Sequence, residues 1–253
     1  MAKTTKTTTK TTEPDIIYPL AFLYNYNEFR YSLRSLKNLP HNRVFVAGYA
    51  PDWLANANYL MVEKPLDMDR KNHEVANIHA VLKNIKATLD NQEISDDFIL
   101  MNDDFYILKP LKQLPSLNRG KLDDVIEEYR AQGAKAYLKT MERTRDLLLS
   151  LGYTDLISYE LHTPMLMNKQ KWLAMYQLVE DNPELRPLHT RTLYGNIYKV
   201  GGTAIPDVKV YDYETGIAPG ATFLSTENVV FDLGKVGKEL KARFPEPSKY
   251  ELE

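Results

Sequence analysis

Asn102, Asp103 and Asp104 stand together at the end of an apolar run, Phe98-Ile99-Leu100-Met101. Such a run fits an interior parallel strand, and open α/β sheets bind ligands outside the carboxyl ends of their strands. Adjacent carboxylates at that edge attract a divalent cation. Their hard oxygens suit Mg²⁺ or Mn²⁺, the ions that neutralise diphosphates. The same three residues also make an ordinary polar turn, because Asn and Asp hydrogen-bond their own backbone. Two further groups have chemical potential. Arg186, His189 and Arg191 crowd into six positions flanked by Tyr194 and Tyr198, a cationic cluster that either clamps phosphate or pairs with surface acids. Asn72 and His73 open a helical pattern, with Asn72 or Asp69 as its cap, where free backbone N–H groups can receive an anion; a solvated helix face explains them equally.

The elements that must position these residues alternate between strand and helix. Asp15-Ile16-Ile17-Tyr18 reads as a first strand, and Phe29, Leu33 and Leu36 recur at helical spacing from Glu28 to Asn38. Arg43 to Gly48 is a second strand, Pro51-Asp52-Trp53-Leu54 a short helical turn, and Tyr59-Leu60-Met61-Val62 a third strand. Val75, Ile78, Val81, Leu82, Ile85 and Leu89 line one helical stripe that leads into the strand ending at Asn102. This βαβ rhythm predicts a mostly parallel sheet with helices on its faces. Helices are expected over Lys121–Arg130 and Ala134–Leu151, as an insertion at about 119–152, and over Lys169 to about Glu180. The stretch Tyr159–Met167 reads as extended.

Composition bounds the class. The chain has 253 residues, 43% apolar and 26% charged, enough for one α/β domain over 14–253 with its own core. Met1 to Thr12 is almost entirely Thr and Lys, so residues 1–13 are expected to form a disordered tail. A net charge of −2 disfavours extended nucleic-acid binding. With no cysteine there is no disulfide scaffold, thiol nucleophile or thiolate zinc site. No apolar run reaches the roughly 20 residues of a membrane span, and the first residues lack a secretory signal's apolar core, so a cytoplasmic protein is expected. Oligomeric state is not legible.

Several segments together resemble the Stealth family of sugar-phosphate transferases, which includes bacterial capsular polysaccharide polymerases and the animal N-acetylglucosamine-1-phosphotransferase. The second conserved region of that family is similar to Asn27-Glu28-Phe29-Arg30-Tyr31-Ser32-Leu33-Arg34-Ser35-Leu36, the Arg43–Ala47 strand, Pro51-Asp52-Trp53-Leu54, and Phe98 through Phe105. His162-Thr163-Pro164 and Thr190-Arg191-Thr192-Leu193-Tyr194 resemble the third region, and Phe244-Pro245-Glu246-Pro247-Ser248-Lys249-Tyr250-Glu251 the fourth. The first region is reduced to Asp15-Ile16-Ile17-Tyr18, and the later Asn-Asp pair is met only by Glu227-Asn228.

The resemblance implies a GT-A-like, Rossmann-type nucleotide-sugar transferase. The donor would be a nucleotide-diphospho-sugar and the acceptor a glycan or other hydroxyl. Asp103 and Asp104 would hold Mg²⁺ or Mn²⁺, and His162 would be the general base, a role that suits imidazole near neutrality. Arg191 would neutralise the migrating phosphate, helped by Arg34 or Arg30, with Asn102, Asn72 and His73 at the nucleotide-sugar. Three activities follow: transfer of a hexose-1-phosphate, transfer of the sugar itself by a GT-A-type glycosyltransferase, or carbohydrate binding without catalysis. The last is in keeping with 17 tyrosines suited to sugar stacking.

Overall fold

The computed structural model describes residues 13–20, 25–60 and 73–252, with the backbone alone described for 73–79. The expected tail over 1–13 therefore lies outside the described residues apart from Glu13, as do Asn72 and the end of the third predicted strand. Strands β1 (Asp15–Leu20), β2 (Val44–Gly48), β3 (Asn58–Leu60), β4 (Asp97–Leu100) and β7 (Met165–Asn168) form one sheet in the order β3-β2-β1-β4-β7. The first four run parallel, and β7 closes the edge antiparallel to β4. The chain winds outward from β1 to β3, then returns through helix α2 (His73–Asn91) to place β4 on the other side of β1. That reversal is a topological switch point, and it opens a crevice at the carboxyl ends of β1 and β4.

Alternation along β1 sorts the two faces. Ile16, Tyr18 and Leu20 pack with Phe29 and Leu33 of helix α1 (Asn27–Ser35), whereas Ile17 packs with Leu82, Ile85 and Leu89 of α2. Each of these side chains is almost fully buried, which stabilises by about 1.5–3 kcal/mol per large apolar residue. Helices α3 (Leu122–Ala131) and α4 (Lys135–Ser150) stand where the sequence predicts them. Val125, Ile126, Met141 and Leu148 share the α2-side core, so these helices are packed into the main body of the fold. Helix α5 (Lys169–Asp181) follows β7 directly, capped by the Asn168 side chain accepting from the Lys171 amide at 3.3 Å.

Pro51–Leu54 differs from expectation: it is a turn whose Leu54 bridges antiparallel to Glu251. The C-terminal segment takes the backbone groups that a helix would have used, with the Leu252 amide donating to the Trp53 carbonyl at 2.8 Å.

A second, small sheet positions the site. Strand β5 (Phe105–Ile107) pairs antiparallel with β10 (Phe223–Thr226), which pairs parallel with β9 (Lys209–Val210). Its register sets Phe105, Ser225 and Lys209 side by side. Strands β6 (Leu117–Asn118) and β8 (Thr203–Ala204) form a two-stranded ribbon, and helices α6 (Thr190–Ile197), α7 (Asn228–Leu233) and α8 (Lys235–Arg243) complete the fold. No described helix is long and apolar enough to cross a membrane.

Candidate active site

Strand β4 ends at Leu100 and the chain turns through Asn102, Asp103 and Asp104 into β5, so the acidic pair sits at the carboxyl edge of the large sheet. The register of the small sheet then fixes Asp104. Its Oδ2 accepts from Lys209 Nζ at 2.9 Å and from Ser225 Oγ at 2.8 Å. Asp103 is half-buried, and burial together with the adjacent Asp104 charge pushes its carboxyl up to about 7, with Lys209 pulling the other way. Glu28 of α1 lies behind them, 5% exposed, accepting from Thr226 Oγ1 at 2.5 Å. Burial pushes its carboxyl up to about 8; the Thr226 bond opposes this, and the charges of Asp104 and Asp103 add to it. Asp103, Asp104 and Glu28 thus outnumber Lys209, the ammonium at the cluster, and burial with mutual repulsion disfavours charge on Asp103 and Glu28.

That imbalance is the test of a divalent cation here. A pair of adjacent carboxylates that repel one another fits Mg²⁺ or Mn²⁺, since Mg²⁺ is commonly held by one or two carboxylates with the rest of its shell from phosphate and water. An all-protein cage is another matter. Among the described residues no three His, Asp or Glu side chains converge to hold a metal.

His162 packs against Phe105, the residue after Asp104, its ring edge-on to the phenyl at 6.1 Å between centroids. Its Nδ1 is 2.7 Å from Asp207 Oδ2, and its backbone amide donates to Asp207 Oδ1 at 3.2 Å. Burial would raise the Asp207 carboxyl, but the hydrogen bond and charge of His162 hold it below the usual aspartate range. Arg191, in the first turn of α6, reaches the same phenyl, its guanidinium 5.3 Å from the ring centroid. It is 8% exposed and donates through Nη1 to the Thr163 carbonyl at 2.7 Å, while Nη2 is buried with no partner. Burial lowers its proton affinity, opposed by the charges of Glu160 and Asp104. A buried cationic nitrogen without an acceptor is costly unless a ligand or water completes it.

Arg191 and Asn102 also line a cleft of about 280 Å³ at the switch point, with Pro19 and Leu100 as apolar floor and Glu160 and His189 on the wall. The expected cationic cluster is divided among three tasks. Arg186 bonds the carbonyls of Val179 and Glu180 at 3.1 and 2.9 Å. His189 contacts Thr140 Oγ1 at 2.6 Å and Glu160 at 3.7 Å. Of the three, Arg191 is the one with a buried donor nitrogen that has no hydrogen-bond partner.

Arg34 and Arg30, the two arginines expected to help Arg191, contact the C-terminal segment. Arg34 spends its guanidinium on the C-terminal segment, with Nε and Nη2 donating to Glu251 at 2.9 and 2.8 Å and Nη1 to the carbonyls of Phe244 and Pro245 at 3.1 and 2.9 Å. Arg30 lies over the Trp53 ring at 4.5 Å, with Nε 3.6 Å from the same Glu251. Both therefore clasp the C-terminus to α1, and the Phe244–Glu251 motif is the other half of that clasp. His73 begins α2, but its side chain is outside the described atoms, and Asn72 lies outside the described residues. Glu227 and Asn228 are exposed at the start of α7.

Glu28, Asp207, Lys209 and Ser225 escaped the sequence reading. The one local signal is the alternation Asp207-Val208-Lys209-Val210-Tyr211, polar at every second position as on a half-buried strand.

Neither a family model nor a curated protein sequence matches the chain. Solved structures that superpose on it include the galactosyltransferase LgtC in complex with donor and acceptor sugar analogues, at 15% identity over 75% of this chain and 72% of that one, with a TM-score of 0.41. The glycosyltransferase GlyE of Streptococcus pneumoniae TIGR4 is also similar, at 10% identity over 77% of this chain and 45% of that one, with a TM-score of 0.40. The chain thus spans less than half the length of GlyE.

Proposed function

We propose that the protein is a metal-dependent transferase that takes a nucleotide-diphospho-sugar and moves a hexose-1-phosphate to a sugar or glycan hydroxyl. One observation carries this reading: His162, bonded to Asp207, and the open guanidinium of Arg191 meet at the ring of Phe105, the residue that directly follows the acidic pair. The Stealth-like segments that contain Asp103, Asp104, His162 and Arg191 support it.

Asp103 and Asp104 would hold Mg²⁺ or Mn²⁺, which when bound supplies positive charge against the donor's diphosphate. Phosphoryl transfer needs little covalent help from protein, only positioning and charge stabilisation. Arg191 Nη2 donates to a phosphate oxygen in the transition state, gaining the acceptor it lacks. His162 takes the proton of the attacking hydroxyl at Nε2 while Nδ1 stays bonded to Asp207. Asn102 and the apolar floor of the switch-point cleft orient the donor. Lys209 holds Asp104 in place and limits repulsion within the acidic pair.

The test is the identity of the released nucleotide when the protein is incubated with Mg²⁺ or Mn²⁺ and a panel of nucleotide sugars and sugar acceptors. A nucleoside monophosphate is expected, because attack at phosphorus expels it. Release of a nucleoside diphosphate would place the attack on the anomeric carbon and make the protein a glycosyltransferase. No release with any donor would overturn catalysis and leave carbohydrate binding.

A further inference from the structure

The approach to β9 does two things within three residues. Lys209 reaches Asp104, and Asp207, two positions earlier, reaches His162. Two residues of extended chain span at most about 7 Å, so one short segment ties the histidine to the acidic cluster at a set distance. Asp207 is well built for this. Its Oδ1 accepts from the His162 amide at 3.2 Å and from the Val208 amide at 2.9 Å, which fixes the carboxylate plane and leaves Oδ2 for the imidazole. Arg119, whose charge also acts on Asp207, makes its hydrogen bonds to Glu128 at 2.9 Å and the Tyr129 hydroxyl at 3.2 Å.

We propose that Asp207 is the positioning residue of His162: it takes the Nδ1–H, fixes the ring's orientation, and so keeps the lone pair on Nε2, where the acceptor hydroxyl delivers its proton. This rests on the transferase reading for the hydroxyl but not for the tautomer. A neutral imidazole carries one N–H, and the hydrogen bond at one nitrogen decides which. An amide in place of the carboxylate can present its NH₂ to Nδ1 and select the opposite tautomer. In Ser-His-Asp enzymes that change costs about 10⁴-fold in kcat through the wrong tautomer, with geometry retained.

The experiment is nitrogen-15 NMR of the His162 ring in the unliganded full chain, compared with Asp207→Asn and Asp207→Ala, each checked by thermal denaturation. The unaltered protein should show His162 protonated on Nδ1. Asp207→Asn should move the proton to Nε2, and Asp207→Ala should give a mixture. If donor turnover is found, Asp207→Asn should lower kcat by about 10²–10⁴-fold, the range of general acid–base catalysis, with KM little changed. An Nε2–H tautomer in the unaltered protein overturns the proposal, as does an unchanged spectrum and kcat in Asp207→Asn. Absence of turnover with every donor would count against the transferase alone, since the spectrum is read without substrate.

Discussion

Arg34 and Arg191 are both buried arginines, and the structure predicts opposite consequences for removing them. In Arg34→Met, Glu251 loses a bidentate partner while its side chain stays 2% exposed, and the carbonyls of Phe244 and Pro245 lose their donor. Breaking a buried pair from one side costs about 3–5 kcal/mol, which corresponds to roughly a 6–20 °C fall in Tm for a domain of this size. In Arg191→Met, one charge-assisted bond to the Thr163 carbonyl is lost, costing about 1.5–3 kcal/mol. A buried N–H that has no partner disappears with it, returning about 1–3 kcal/mol. The two ranges largely offset, so stability should change by less than about 2 kcal/mol while activity is lost. Urea denaturation of both variants, with donor turnover beside it, checks the contrast. Arg191→Met proving as destabilising as Arg34→Met would refute the assignment of Arg191 to a ligand and make it part of the scaffold.

Other outcomes follow from the packing. Asp15 starts β1 fully buried; burial would raise its carboxyl, but the Arg43 side chain and the Ser95 amide hold it below its usual value. A carboxyl depressed in the folded state stabilises above its unfolded value and loses that contribution as pH falls through the folded one. Stability should therefore drop below about pH 4, and Asp15→Asn should flatten that slope in urea midpoints measured across the acid range. Gly237 of α8 has no room for a methyl, whose carbon would stand 1.7 Å from the Phe231 carbonyl oxygen. Gly237→Ala should cost at least about 1–3 kcal/mol by thermal denaturation, because backbone cannot yield as a flexible side chain does.

What was legible in the sequence was the part governed by local pattern. The Ile85 and Leu89 stripe and the Phe98–Met101 run announce α2 and β4 within a residue or two, and their order implies the parallel sheet and its switch point. The acidic strand end was visible as Asn-Asp-Asp after an apolar run, a pattern that an ordinary polar turn also makes. What stayed hidden depends on long-range register. Ser225 meets Asp104 across 121 positions, and Lys209 across 105, through strands of two to four residues that carry little pattern of their own. Arginines were ambiguous for a related reason. Arg34 and Arg191 look alike until Glu251 occupies one and leaves the other open.

The central claim is that chemistry takes place at the Asp103–Asp104 strand end. Donor turnover in Asp103→Asn, Asp104→Asn, compared with the unaltered protein in Mg²⁺ or Mn²⁺, tests it most directly. Because Asp104 also anchors Lys209 and Ser225, the double variant is checked for a cooperative thermal transition, and in folded form it should lose turnover. A folded double variant with undiminished turnover would contradict the account.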